Sequence, residues 1–185
     1  MAIKLNKAGE YIDYVHTFSG KKFRPLSPDP ALIDIRDIAH ALAMQARFGG
    51  FTETFYSVAE HSFRCSYIVP EADALSALLH DAGEAYLKDL PGPIKHARGM
   101  EAYREAEDNV MAAVNIAFQL PSPRPESVTV ADHVMVHTEG RDLFPEGSHV
   151  TWLDESMALP ERIEPMTWDE AERWFLWRFA QLWRK

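Results

Sequence analysis

Prolines cut this chain into lengths that suit single helices, and within most of those lengths the apolar residues recur at three- and four-residue spacing. Pro25, Pro28 and Pro30, then Pro70, the Pro91-Gly92-Pro93 loop and the PSPRP run at 121–125 each break regular structure, because proline continues neither a helix nor a strand ladder. Between them, Ile35, Ile38, Ala39, Leu42 and Ala46 predict one face of a helix over 33–48, with Gly49-Gly50 suited to its left-handed end. Ser57 and Glu60 form a capping-box pattern that opens the next helix and puts His61 in its first turn. A helix over 71–87 follows, with Leu75, Leu78, Leu79 and Ala82 facing the core. Further helices are expected over 101–119, with Tyr103, Val110, Val114 and Phe118 available for packing, and over 126–143. Residues 145–166 read as a proline-punctuated surface segment, and Thr167 and Glu170 open a tryptophan-rich helix to Trp183. Residues 11–26 alternate polar and apolar around Ser19-Gly20, the pattern of a β-hairpin. The fold class is all-α: one domain over 1–185, a compact helical bundle with a short N-terminal β-hairpin.

With 185 residues, 46% of them hydrophobic, the chain can bury one sizeable core. The longest apolar runs fall far short of a membrane span, and the first residues lack the apolar centre of a secretory signal. A single cysteine, Cys65, allows no internal disulfide and reads as a small buried hydrophobe. These features lead to the expectation of a cytoplasmic protein. A net charge of -9 argues against binding long nucleic acids, which depends on Lys and Arg neutralising phosphates, but a local pocket can still attract small anions. The tryptophans at 152, 168, 174, 177 and 183 have only scattered basic neighbours and suit core packing or a subunit contact.

Chemistry concentrates in ALLHDAGEAYLKDLPGPIKH, residues 77–96, where His80, Asp81, Glu84 and Asp89 follow an apolar run. Charged groups carried into a core need a partner or a bound cation. Adjacent His80 and Asp81 project about 100° apart on a helix, so both reach one point only close to the axis, a geometry that a metal ion satisfies. Imidazole and carboxylate together do not select sharply among Zn, Mn, Co and Fe.

The pieces VAEHS (58–62), LLHDAGE (78–84) and ADHVMVHTEGRDL (131–143) resemble the HD-domain metal-dependent phosphohydrolases. The likeness is to the compact branch of 5'-deoxynucleotidases and deoxynucleoside triphosphate hydrolases, including small dATP triphosphohydrolases of some bacteriophages, and it runs from about residue 33 to residue 143. It implies an HD-domain helical bundle in which His61, His80, Asp81 and Asp132 hold one divalent metal ion (Zn, Co, Mn or Mg). It further implies that Glu84 orients or deprotonates water and that Asp89 holds a water or the substrate sugar, although Glu84 also suits a solvated helix charge and Asp89 a loop cap. Arg47 and Phe48 resemble the pair that contacts phosphate and nucleoside in this branch, or else a helix-ending arginine beside a core phenylalanine. Lys95 suits a phosphate contact or an exposed position equally.

Other histidines point elsewhere. His133 and His137 are four apart without the HExxH glutamate. His40 sits among apolar residues and suits a hydrogen-bonded interior role, His96 a surface role, and His16 and His149 lie in peripheral segments. Glu139 shares the face of Asp132 and suits a salt bridge with Arg36 or Arg47. The resemblance implies an enzyme, a cytoplasmic hydrolase of deoxynucleotides that acts on dNTP, with dATP as one candidate, or on dNMP. It also implies a small-molecule nucleotide substrate, a homo-oligomer, and neither membrane nor long nucleic acid as partner. The alternatives are a non-catalytic nucleotide sensor and an HD hydrolase of a cyclic nucleotide or alarmone.

Overall fold

A computed structural model describes residues 12–148 and 150–183, together with residues 5, 7 and 9. His149 and the first residue of the expected hairpin span, Tyr11, lie outside the described residues. The fold is mostly helical, 53% of it, with eight α-helices among the described residues and one two-stranded antiparallel hairpin. The hairpin pairs β1 (Val15–His16) with β2 (Lys22–Phe23), Val15 opposite Phe23. Its turn is tied to the bundle by Ser19, whose hydroxyl donates to Asp37 at 2.8 Å. Phe23 is fully buried and stacks on Tyr86, ring centroids 4.1 Å apart.

The helices are α1 (Ile35–Ala43), α2 (Val58–Cys65), α3 (Ala74–Leu78), α4 (Glu84–Leu87), α5 (Gly92–Lys95), α6 (Glu101–Phe118), α7 (Glu126–Asp142) and α8 (Trp168–Leu182). α8 lies against α1, α2 and α3. Its Ala171, Phe175 and Phe179 join Ile38, Leu42, Val58, Leu78 and Val114 in the main core. Burying such side chains contributes about 1.5–3 kcal/mol each. A second cluster, with Tyr56, Cys65, Ala77, Val128, Met135, Leu143 and Ile163, joins α2, α3 and α7.

Two expected helices are shorter than their patterns. α1 stops at Ala43 rather than near Phe48, because residues 45–47 pair like a strand with residues 56–58. The Val58 N–H donates to Gln45 O at 3.0 Å and the Arg47 N–H to Tyr56 O at 2.9 Å. Arg47, Phe48, Gly49 and Gly50 then form a tight turn in which Phe48 has φ 52°, left-handed like the two glycines after it. The expected helix over 71–87 breaks into α3 and α4, with the His80-Asp81 doublet in the break. There the His80 Nδ1–H donates to Ala77 O at 2.7 Å, and the Gly83 N–H turns outward to Met111 Sδ at 3.1 Å. Gln45 steadies the second half by donating to Glu84 O at 3.2 Å and accepting from the Asp89 N–H at 3.1 Å.

Both caps form at Thr167 and Glu170, whereas the box at Ser57 forms only in half. The Glu60 N–H donates to the Ser57 hydroxyl oxygen, but the Glu60 carboxylate, fully buried, accepts from Arg64 and from the Met166 N–H. The segment at 145–166 is more than surface. Ile163 is buried, and Asp142 accepts from Arg141, Arg162 and the Ile163 N–H, which pins the segment along α7. No helix among the described residues is long and apolar enough to cross a membrane.

Candidate metal centre

Three separate stretches of chain bring acceptors to one point. His61 comes from α2, His80 and Asp81 from the break after α3, and Asp132 from α7. His61 Nε2 lies 3.3 Å from His80 Nε2, 3.3 Å from Asp132 Oδ1 and 3.7 Å from Asp81 Oδ2. His80 Nε2 lies 3.3 Å from Asp81 Oδ2 and 3.9 Å from Asp132 Oδ1. Donor atoms about 2.1 Å from a shared tetrahedral ion are about 3.4 Å from one another, close to the three shortest of these separations.

Hydrogen bonding on the far side of each ring fixes what faces inward. The His80 Nδ1–H is committed to the Ala77 carbonyl, and His61 Nδ1 is 2.6 Å from Glu139 Oε1. Glu139 is fully buried, yet Arg47 and His61 outweigh that burial and hold it below the ordinary carboxylate range, so it accepts the His61 Nδ1–H. Both Nε2 atoms therefore face each other and two carboxylates. A proton on His61 Nε2 or a metal ion can balance the acceptors gathered there. Burial lowers the pKa of His80. Burial and Arg47 also oppose charge on His61, but neighbours including Glu139 and Asp132 outweigh them and raise it well above the usual imidazole value. Asp132 is pulled far below the carboxylate range, its burial overcome by His61, His80 and Arg47.

Cys65, read from the sequence only as a small hydrophobe, is part of this cluster. Its Sγ lies 3.5 Å from His61 Nε2, and donor atoms of the buried residues His61, Cys65 and His80 all lie within 4.8 Å of one another, close enough to hold a metal ion. The four-residue step from His61 to Cys65 on α2 was the signal for it.

Arg47 is the buried cation behind the cluster, with Nε 3.1 Å from Glu139 Oε2 and a terminal nitrogen 3.6 Å from Asp81 Oδ2. Of the two expected partners for Glu139 it is Arg47 that pairs; Arg36 faces solvent and binds Asp34. Glu84 lines a cleft of about 330 Å³ with His80, Asp81, Lys95, Glu107 and Arg124. Its Oε2 is buried without a hydrogen-bond partner, and burial, then Asp81 and Asp89, push its carboxyl well above the ordinary range. Burial likewise raises Asp89. Lys95 is neither free nor fully exposed, since its Nζ is 2.6 Å from Glu107 Oε1. Phe48 packs at the other side of Arg47 in an aromatic group with Phe144 and Trp152.

The other histidines among the described residues stay away from the cluster. His40 bonds Glu172 at 3.0 Å and stacks on Phe18, His137 accepts from the Asp154 N–H, and His96 and His133 are exposed.

The chain is 40% identical over 132 residues to the uncharacterized protein YfdR of Escherichia coli (strain K12), an alignment covering 71% of this chain and 73% of that protein. The chain belongs to the YfdR family. A second relative in this comparison, an uncharacterized protein of Rhodobacter capsulatus, is 38% identical over 138 residues, 68% of this chain and 70% of its own length. No described domain family matches the sequence by its profile.

Proposed function

We propose that this member of the YfdR family is a metal-dependent phosphohydrolase of deoxynucleotides, in which His61, His80, Asp81 and Asp132 hold one divalent ion. The observation that carries the reading is the pair of buried imidazoles with their Nε2 atoms 3.3 Å apart and two carboxylates beside them. A divalent ion bound there supplies positive charge against the negative charge that develops on phosphoryl oxygens during hydrolysis.

The surrounding residues suit the other parts of the reaction. Arg47, buried between Asp81 and Glu139, holds fixed positive charge beside the cluster, where it can meet a phosphate. Glu84, with a raised proton affinity and an unpartnered oxygen, suits the transfer of a proton to or from attacking water. Glu139 holds the His61 ring so that its Nε2 faces the cluster.

The charge inventory favours a monophosphate over a triphosphate. Among the described residues, Arg47 and Lys95 are already ion-paired, and the 330 Å³ cleft is lined by Asp81, Glu84, Glu107 and Asp108 against Lys95 and Arg124. A triphosphate tail would meet more acid than free base there.

The test is a panel of deoxynucleoside mono-, di- and triphosphates incubated with Mn, Co, Zn or Mg, the products separated by chromatography. Inorganic phosphate released from monophosphates, and lost in Asp81→Ala, is the expected result. Equal turnover by Asp81→Ala without added metal would defeat the proposal. Glu84→Ala should lose turnover while keeping its metal; loss of the metal as well would make Glu84 a ligand instead.

A further inference from the structure

Beside Arg47 lies a second cavity, of about 390 Å³, whose lining includes Arg47, Phe48, Asp89, Pro91, Phe144 and Trp152. It adjoins the cluster through Arg47, which lines it and has a terminal nitrogen 3.6 Å from Asp81 Oδ2. Apart from Arg47 and Asp89 its named walls are apolar, and three of them are aromatic. The Phe48 and Trp152 rings are nearly parallel, 11° apart with centroids separated by 6.0 Å, and Phe144 sets its edge toward both.

Two local irregularities hold these rings. Phe48 has φ 52°, a conformation that a bulky side chain rarely adopts. Gly140 is buried inside α7, where glycine weakens a helix. A Cβ at position 140 would come 2.7 Å from Cη2 of Trp152 and 2.8 Å from its Cζ3. The bare backbone of Gly140 thus lets the indole lie flat along α7, with 45% of Trp152 still exposed. Tryptophan left half-uncovered beside a cavity is what a stacking contact uses.

Resting on the phosphohydrolase reading, we propose that this cavity receives the nucleobase and that Trp152 is the residue that discriminates among bases, by stacking area rather than by hydrogen bonds to base edges. With few polar groups in the lining, the pocket reads the π-face that every base presents. Purines, with the larger face, should bind better than pyrimidines, and adenine and guanine should differ little.

The experiment compares KM for deoxyadenosine monophosphate, thymidine monophosphate and the base-free deoxyribose 5-phosphate in wild type, Trp152→Ala, Trp152→Phe and Gly140→Ala. In wild type KM should rise in that order. The KM ratio of base-free to adenine substrate should fall about ten-fold in Trp152→Ala, from the loss of one stacking partner. Trp152→Phe should recover most of it, and Gly140→Ala, which displaces the ring without removing it, should lose part of it. A packing role alone would shift both substrates together and leave the ratio unchanged, and that outcome would overturn the proposal. Wild type that releases phosphate from all three substrates with equal KM would also overturn it while leaving the phosphohydrolase reading intact; wild type that releases none would remove both.

Discussion

Glu139 Oε1 accepts the Nδ1–H of His61 at 2.6 Å while its other oxygen binds Arg47 at 3.1 Å, so one buried carboxylate orients an imidazole and anchors a guanidinium. Glu139→Gln keeps the shape and loses the charge. Replacing a partner behind a metal-binding histidine lowers metal affinity about 10–100-fold, and competition with a chromophoric chelator would measure it. Glu139→Ala leaves Arg47 buried without its partner and should cost about 3–5 kcal/mol in urea denaturation. Unchanged metal affinity in Glu139→Gln would show that the His61 ring needs no such support.

Metal should stabilise the fold. An ion held only by the native state raises stability by about 2.7 kcal/mol at a hundred times its dissociation constant. Thermal unfolding with Zn, Co or Mn should therefore give a higher Tm than after dialysis against chelator, and Asp132→Ala should lose most of that difference. A Tm that ignores both metal and chelator would count against the cluster as a metal site.

Asp142 should link stability to pH. Burial disfavours its charge, but Arg141, the Ile163 N–H and Arg162 together outweigh burial and hold its pKa below the ordinary carboxylate range. A depressed folded pKa gives stability that is present above the unfolded value, about 3.9, and is lost as pH falls through the folded one. Asp142→Asn should cost about 1.5–3 kcal/mol at pH 7, the worth of hydrogen bonds to a charged group. That difference should shrink as pH drops below about 4, read from urea midpoints at each pH.

Phe175 carries the attachment of α8. It is fully buried in the main core, so Phe175→Ala should lose about 3–5 kcal/mol of stability. A loss under 1 kcal/mol, read by urea denaturation, would mean that α8 is an appendage rather than part of the bundle.

Much of this arrangement can be read from residue order. The helical spacing of Ile38, Ala39 and Leu42, the alternation across Ser19-Gly20 and the cap at Thr167 act through near neighbours, and they appear where their patterns put them. What the spacing missed depends on distant chain. α1 ends early because residues 56–58 offer Gln45 and Arg47 a pairing that local periodicity does not contain. The break at His80-Asp81 depends on Met111, twenty-eight residues beyond Gly83, and on Gln45. His61, His80, Asp81 and Asp132 were legible as a set only through family resemblance, and they do lie together. Cys65 looked like filler because its only sign was an i, i+4 step. Trp152 lay in a segment read as proline-punctuated surface and suited core packing or a subunit contact, and Gly140 beneath it gave no pattern at all.

α2 spans eight residues and buries Val58, Ala59, Glu60, His61, Ser62 and Cys65. One side meets the acceptor cluster through His61 and Cys65, and another, through Glu60, meets the entry to α8 at Met166. A rod with both flanks committed has almost no side on which sequence can drift freely. Divergence among relatives should therefore pass over this short stretch and gather on helices with an open flank, such as α6, where Glu105 and Asn109 face water.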